Sequence, residues 1–334
     1  MAVADPTSFE GRGAFAIWSE LFKARLSALV LLTTAVGFHL GSRDPMDYRL
    51  LVETLLGTSL LAAGAAALNQ YLEREHDARM PRTAHRPLPT GEVQPRTVLV
   101  VGVMMSMAGM LVLTACVNPL SGLLGMITLA SYLFVYTPLK RITVLNTLVG
   151  AVPGALPPLI GWAAATGRLS AGGWALFTLL FFWQLPHFMA IAWLYREDYA
   201  KGGFRMLPTV DPDGRRTGAT AVRHTLLLLA FSLAPFLMGV SGKFYLATAL
   251  VLGICFLAAA VSFSMRLRAR DARILFFASI LYLPLVLGVL VADKLPRAEF
   301  GDNDFGRNPG GQSIAQAARG IDAGAPVPRL KTSL

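Results

Sequence analysis

From Asn69 to Gly91 the chain reads NQYLEREHDARMPRTAHRPLPTG. Asn69, Glu73 and Asp77 fall at i, i+4 and i+8, so a helix carries all three along one stripe. Like charges at that spacing repel in a bare helix, and a bound divalent cation reverses the sign of the effect. Two carboxylates and an amide oxygen, with water completing the shell, are a hard-oxygen set suited to Mg²⁺ bridging to substrate phosphates. The plain alternative is a solvated cytoplasmic helix end; on either reading the stripe is expected at the membrane surface, outside the packed bundle. Spacing alone does not separate the two readings. The neighbouring bases favour the first, because Arg79, Arg82 and Arg86 offer guanidinium groups that match phosphate bidentately. Pro87 and Pro89 pin a rigid turn behind them.

A second constellation runs WLYREDYAKGGFRMLPTV from Trp193 to Val210. Glu197 and Asp198 supply another carboxylate pair, and Arg196, Lys201 and Arg205 supply cations. Between the two lies YTPLKR, Tyr136 to Arg141, in which Lys140 and Arg141 by themselves read as topology anchors. Carboxylates followed by arginines at the mouth of an apolar cavity suit a lipid diphosphate, with a cation on the phosphates and the chain in the membrane.

The elements that hold these groups are membrane helices. Of 334 residues, 54% are hydrophobic and 15% charged, against about 25% charged in an average soluble protein; mean hydropathy is +0.54. A water-soluble fold of this size still needs a polar exterior, so soluble nucleotide-binding, nucleic-acid-binding and secreted disulfide-scaffold classes are excluded. Cys116 and Cys255 lie in apolar stretches without a CxxC spacing and read as small core residues. Apolar runs long enough to span fall near 24–42, 50–70, 97–116, 120–136, 144–165, 173–194, 225–241, 244–263 and 274–292, an all-α integral membrane protein of nine helices. The first is expected to be retained rather than cleaved, since Asp5, Glu10 and Glu20 precede it. Pro153, Pro157 and Pro158 interrupt the fifth, which neighbouring helices can tolerate.

A cytoplasmic N-terminus puts five Lys/Arg in loop 71–96, two in 137–143, six in 195–224 and four in 264–273, leaving only Arg43, Arg49, Arg168 and Lys243 opposite. That asymmetry predicts the orientation and places all three chemical loops on the cytoplasmic face. The +10 formal charge then reflects topology, with no nucleic acid implied. Three parts are expected: a cytoplasmic segment 1–22, an intramembrane domain 23–293, and a polar, disordered tail 294–334.

These motifs resemble the UbiA-type intramembrane prenyltransferases over roughly residues 23–292. The family's Asn-x3-Asp-x3-Asp motif is matched by Asn69, Glu73 and Asp77, with Glu at the middle position, and the run RTAHRPLPTG (Arg82–Gly91) is similar to the family's. YTPLKRITVLNTLVGAVPGALPPLIGW (Tyr136–Trp162), WQLPHF (Trp183–Phe188), YREDYAKGGFRMLP (Tyr195–Pro208) and SILYLPL (Ser279–Leu285) resemble the branch that farnesylates haem. In the broader family the second motif is Asp-x3-Asp. Its outer positions here are Tyr195 and Tyr199, which passes the metal role to Asp198 or Glu197.

The resemblance implies a UbiA-type helical bundle in a bacterial inner membrane and a Mg²⁺-dependent transfer for haem–copper oxidase assembly. Farnesyl diphosphate would lose diphosphate, a vinyl group of haem B would take the farnesyl group, and water would add to give haem O. It implies metal ligation by Asn69, Glu73, Asp77 and Asp198, with Glu197 beside them, and charge neutralisation by Arg86, Lys140 and Arg141. Arg74, Arg82, Tyr136, Asn146, Lys201 and Arg205 join the substrate site, with Trp183 and His187 toward the porphyrin. His187 sits deep in a span, where a polar group needs a partner; it is either bonded to a neighbouring helix or available to haem as a ligand or proton relay. Haem A synthase, which consumes haem O, is the implied protein partner. Two alternatives stay open: a quinone-precursor or chlorophyll-type acceptor, and an ion-coupled transporter. The transporter would hold its carboxylates near the bilayer midplane, whereas these stand at helix ends beside arginines.

Overall fold

The computed structural model of the protein describes residues 12–296. The tail expected from 294 onward falls almost wholly outside the described residues, as do the first eleven positions. Among the described residues nine helices are long and apolar enough to cross a membrane: Ala24–Gly41, Tyr48–Asp77, Pro95–Val117, Pro119–Ile142, Asn146–Thr166, Ala171–Leu194, Arg215–Leu237, Lys243–Arg266 and Ala269–Ala292. They are called here the first to ninth spans. Short helices Ala14–Leu21 and Arg196–Lys201 flank the first and follow the sixth.

Local signals set the helix starts. The Asp47 side chain accepts from the Leu50 amide (2.9 Å) and caps the second span. Asn118 does the same for Ser121 (2.8 Å) ahead of Pro119, which closes the tight turn between the third and fourth spans. The seventh span begins at Arg215, about three turns before its apolar run, because Asp211 accepts from both the Thr217 amide and its hydroxyl at 2.7 Å. That span breaks after Phe231, and its last turn Ala234–Leu237 restarts with Pro235 in its first turn.

Two length differences matter for the site. At 30 residues the second span is about 45 Å long at ~1.5 Å per residue, well beyond a hydrocarbon core of ~30 Å. Its last turns carry Asn69, Glu73 and Asp77. The fourth span continues through Lys140 and Arg141 to Ile142, with a wider π-helical turn at Ser131–Tyr136.

The first span packs on the second and fifth, the fifth on the fourth and sixth, and the sixth on the seventh and ninth. Prolines 153, 157 and 158 stay within one continuous fifth helix. The first and fifth backbones approach so closely that a Cβ at Gly37 would collide with the Pro158 carbonyl, and one at Gly161 with the Thr34 carbonyl. Small residues at such crossings are how membrane helices gain contact. The cysteines depart from expectation: Cys116 and Cys255 are exposed on the outside of the bundle rather than in its core.

Candidate active site

Asn69, Glu73 and Asp77 share one face of the second span, and all three are buried (0%, 4% and 1% exposed). This overturns the expectation of a helix end outside the packed bundle. The short helix Ala14–Leu21 leans on the span, with Gln70 donating to the Glu20 and Leu21 carbonyls (3.0 and 2.9 Å). On another side the loop after the sixth span closes over, with the Gly202 carbonyl 2.9 Å from His76 Nδ1.

Each member of the stripe meets a different base. Lys23 Nζ donates to Asn69 Oδ1 (2.7 Å), Lys140 Nζ to both Glu73 oxygens (2.8 and 3.0 Å), and Arg86 Nη1 to Asp77 Oδ2 (2.6 Å). The bases arrive by separate routes. Lys23 sits at φ 48, in the left-handed kink between the short helix and the first span. Lys140 comes from the last turns of the fourth span. Arg86 returns through compact turns in which Thr83 donates its hydroxyl to the Asp77 carbonyl (2.9 Å). Asn69 also donates to Thr137 (3.2 Å), tying the second span to the fourth.

Burial, together with the charges of Arg86 and Lys140, pushes the Lys23 ammonium down to about 7, against the pull of Glu73 and Asp77. Lys23 has no motif around it. In sequence it is one lysine before an apolar run, which signals topology and nothing more.

A cavity of about 370 Å³ opens inside these groups, within the roughly 300–1,000 Å³ typical of small-molecule sites. Lys23, Lys140, Tyr132 and Tyr136 form part of its wall, and Trp183, Gln184 and His187 another part. Tyr132 and Tyr136 stack at 5.8 Å, and the Lys140 ammonium lies 4.6 Å over the Tyr136 ring. The remaining lining is mostly aliphatic, from the first, second, fourth and fifth spans. His187 stacks on the rings of Trp183 (5.2 Å) and Phe276 (5.1 Å), with Nδ1 2.6 Å from Ser279 Oγ.

Other residues singled out from the sequence make no ion pair or side-chain hydrogen bond to the stripe's side chains. Arg141 is exposed and donates to the Leu72 carbonyl (3.3 Å). Arg74 turns back to the Tyr71 carbonyl (2.8 Å), on a different face from the stripe. Asn146 is spent on structure: its amide donates to the Thr143 and Arg205 carbonyls (2.6 and 2.9 Å). The Arg205 amide in turn donates to the Lys140 carbonyl (2.6 Å), strapping the second loop to the fourth span. The Arg205 side chain and Lys201 are exposed. Arg82 lies over Tyr195 (5.3 Å) and Tyr199 (5.7 Å), the two positions where the broader motif carries Asp. Glu197 is exposed and Asp198 half-buried, and neither side chain is hydrogen-bonded or ion-paired to a described residue.

The stripe's donor chemistry, one amide and two carboxylate oxygens, fits a hard divalent cation. Such an ion would compete with Lys23, Lys140 and Arg86 for the same oxygens. Among the described residues no three His, Cys, Asp or Glu side chains converge on one point as they stand.

Residues 30–281 match the UbiA prenyltransferase family. The protoheme IX farnesyltransferase of Opitutus terrae is 50% identical over 282 residues, covering 84% of this chain and 95% of the relative. That of Solibacter usitatus is 46% identical over 284 residues, covering 82% and 97%. Among solved structures, digeranylgeranylglyceryl phosphate synthase superimposes with a TM-score of 0.71 at 15% identity, over 84% of this chain and 98% of the other. A UbiA homologue from Archaeoglobus fulgidus bound to GPP and Mg²⁺ superimposes with a TM-score of 0.58 at 17% identity, over 82% and 99%. At these identities the structural likeness speaks for the fold.

Proposed function

This chain belongs to the UbiA prenyltransferase family, and we propose that it transfers the farnesyl group of farnesyl diphosphate to a vinyl group of haem B. Water adds to the resulting cation, giving haem O and diphosphate. The observation that carries this reading is the single cavity whose wall holds both the bases paired to Asn69 and Glu73 and the pair Trp183–His187. A diphosphate needs cations and an acceptor porphyrin needs flat apolar walls, and the reaction requires both in one water-restricted space. The relatives' shared activity and high coverage support the same acceptor.

Mg²⁺ fits the stripe, and Asn69, Glu73, Asp77 and Asp198 would hold it; when bound it supplies Lewis-acid stabilisation of the departing diphosphate. The A. fulgidus homologue bound to GPP and Mg²⁺ supports a divalent cation beside a prenyl diphosphate. The chain's own bases do the rest. Lys23, Lys140 and Arg86 already line up along the stripe, so on substrate binding they can exchange carboxylate and amide oxygens for phosphate oxygens without long movement. Tyr132 and Tyr136 present aromatic rings in the same wall, suited to an allylic cation. No side-chain nucleophile is required, because the acceptor's vinyl group supplies the electron pair.

The protein is multi-pass, and its distribution of bases supports an N-terminus in the cytoplasm of a bacterial-type inner membrane. Haem O would pass to haem A synthase. Purified protein incubated with haem B, farnesyl diphosphate and Mg²⁺ should form haem O, detected by mass. Failure with haem B but prenylation of a quinone precursor or chlorophyll-type acceptor would replace the acceptor and keep the reaction class.

A further inference from the structure

Ser279 lies in the ninth span, fully buried, and its side chain meets His187 of the sixth. Its Oγ is 2.5 Å from the Phe276 carbonyl oxygen and 2.6 Å from His187 Nδ1. A hydroxyl has one proton to give. A carbonyl can only accept, and two oxygens at 2.5 Å with no proton between them repel. The hydroxyl proton therefore goes to Phe276, and Oγ turns a lone pair toward His187. For that second contact to be a hydrogen bond, Nδ1 must carry the imidazole proton. The neutral ring then has its lone pair on Nε2.

Three further contacts hold the ring in that state. Trp183 donates its indole N–H to the Ser279 carbonyl (2.8 Å), pinning the serine backbone to the sixth span. The Trp183 and Phe276 rings stack on the imidazole at 22° and 26°, which resists a ring flip. Nε2 has no hydrogen-bond partner among the described residues, and His187 forms part of the cavity wall. A histidine kept only to bond two helices would have both nitrogens satisfied inside a bundle. This one has a single nitrogen satisfied and the other available to a ligand.

We propose that Ser279 is a positioning residue that fixes His187 in its Nδ1–H tautomer, leaving the Nε2 lone pair to ligate the iron of a porphyrin in the cavity. Metal-bound histidines usually donate their other N–H to just such an oxygen, which orients the ring and strengthens the ligand. The proposal rests on haem being the acceptor, and it assigns to the ninth span a part in acceptor binding that its apolar sequence hides.

The test uses full-length protein in detergent, titrated with haem B and followed by absorption, with the iron–imidazole stretching band of the ferrous complex read by resonance Raman. Ser279→Ala should weaken haem binding about 10- to 100-fold and lower the band's frequency, because Nδ1–H loses its acceptor. Ser279→Thr, which keeps a hydroxyl, should restore the band. His187→Ala should abolish it, and farnesyl diphosphate affinity should stay at the wild-type value in all three. Trp183→Phe keeps a stacked ring but removes the N–H bond to Ser279, so it should shift the band the same way, and it provides the reading if Ser279→Ala does not fold. A wild-type band and affinity in Ser279→Ala, or a wild-type band in Trp183→Phe if that is the variant that folds, overturns the positioning role while haem remains the acceptor. A wild-type spectrum in His187→Ala overturns the ligand and the proposal with it. Absence of any haem binding to the wild-type protein overturns the functional reading beneath both.

Discussion

The Glu73–Lys140 pair is the tightest charged contact between the second and fourth spans, with side chains only 5% and 15% exposed. A carboxylate in that position has two roles, as oxygen donor to a cation and as partner to a buried ammonium, and Glu73→Gln removes both. Turnover should fall at least 100-fold. Breaking a buried pair by deleting one partner costs about 3–5 kcal/mol, so melting temperature should fall as well. The second effect separates this residue from a solvated helix end, whose substitution leaves stability alone. Adding Lys140→Met to Glu73→Gln should recover much of the lost stability, since no orphan charge is left, while activity stays low. Thermal melts and haem O formation on the two variants provide the check. Normal Mg²⁺-dependent activity in Glu73→Gln would remove the stripe from the reaction.

Among the elements, the crossing of the first and fifth spans governs the cavity. Both contribute to its wall, through Leu29, Val30 and Thr33 on one side and Gly150, Pro153 and Pro157 on the other. Their separation depends on Gly37 and Gly161, where a single methyl group meets backbone carbonyl oxygen that cannot move aside. Gly37→Ala should therefore destabilise by about 1–3 kcal/mol as overpacking does, and spreading the two helices should weaken farnesyl diphosphate binding. Gly288→Ala in the ninth span is the internal control: nothing lies within 4 Å of its Cβ, and alanine is the better helix former by up to about 1 kcal/mol. It should be neutral or slightly stabilising. Equal melting temperatures for the two variants would mean the close crossing is not a stability determinant.

At the scale of the whole molecule, the described loops form two populations. The long ones, 78–94 and 195–214, lie on the side of the stripe and carry three Lys/Arg each, while those on the opposite side are short. Arg82 of the first lies over Tyr195 and Tyr199 of the second, joining them into one cover, and the Arg205 amide and the Gly202 carbonyl tie the second loop to Lys140 of the fourth span and His76 of the second. The cover must face the compartment that supplies farnesyl diphosphate. Reporter fusions at Thr90 and Pro212 should both read cytoplasmic, and fusions at Arg168 and Lys243 should read extracytoplasmic. A fusion at Thr90 that reads outside reverses the orientation and moves the diphosphate site to the other face.

Span number and the chemical face are properties of local pattern, and so they are legible without coordinates. Apolar runs of bilayer length, proline and asparagine at the turns, and the i, i+4, i+8 stripe each depend on neighbours within a few residues. Partner choice is not local. That Glu73 belongs with Lys140, Asp77 with Arg86 and Asn69 with Lys23 depends on where the fourth span, the first loop and the N-terminal kink come to rest against the second span. A lone lysine ahead of an apolar run looks the same whether it anchors a helix or lines a cavity. Burial of the stripe belongs to the tertiary level too, because a polar helix end and a covered active site have the same composition. So does Ser279, one small residue in an apolar span, whose chemistry exists only once a histidine 92 positions away is packed against it.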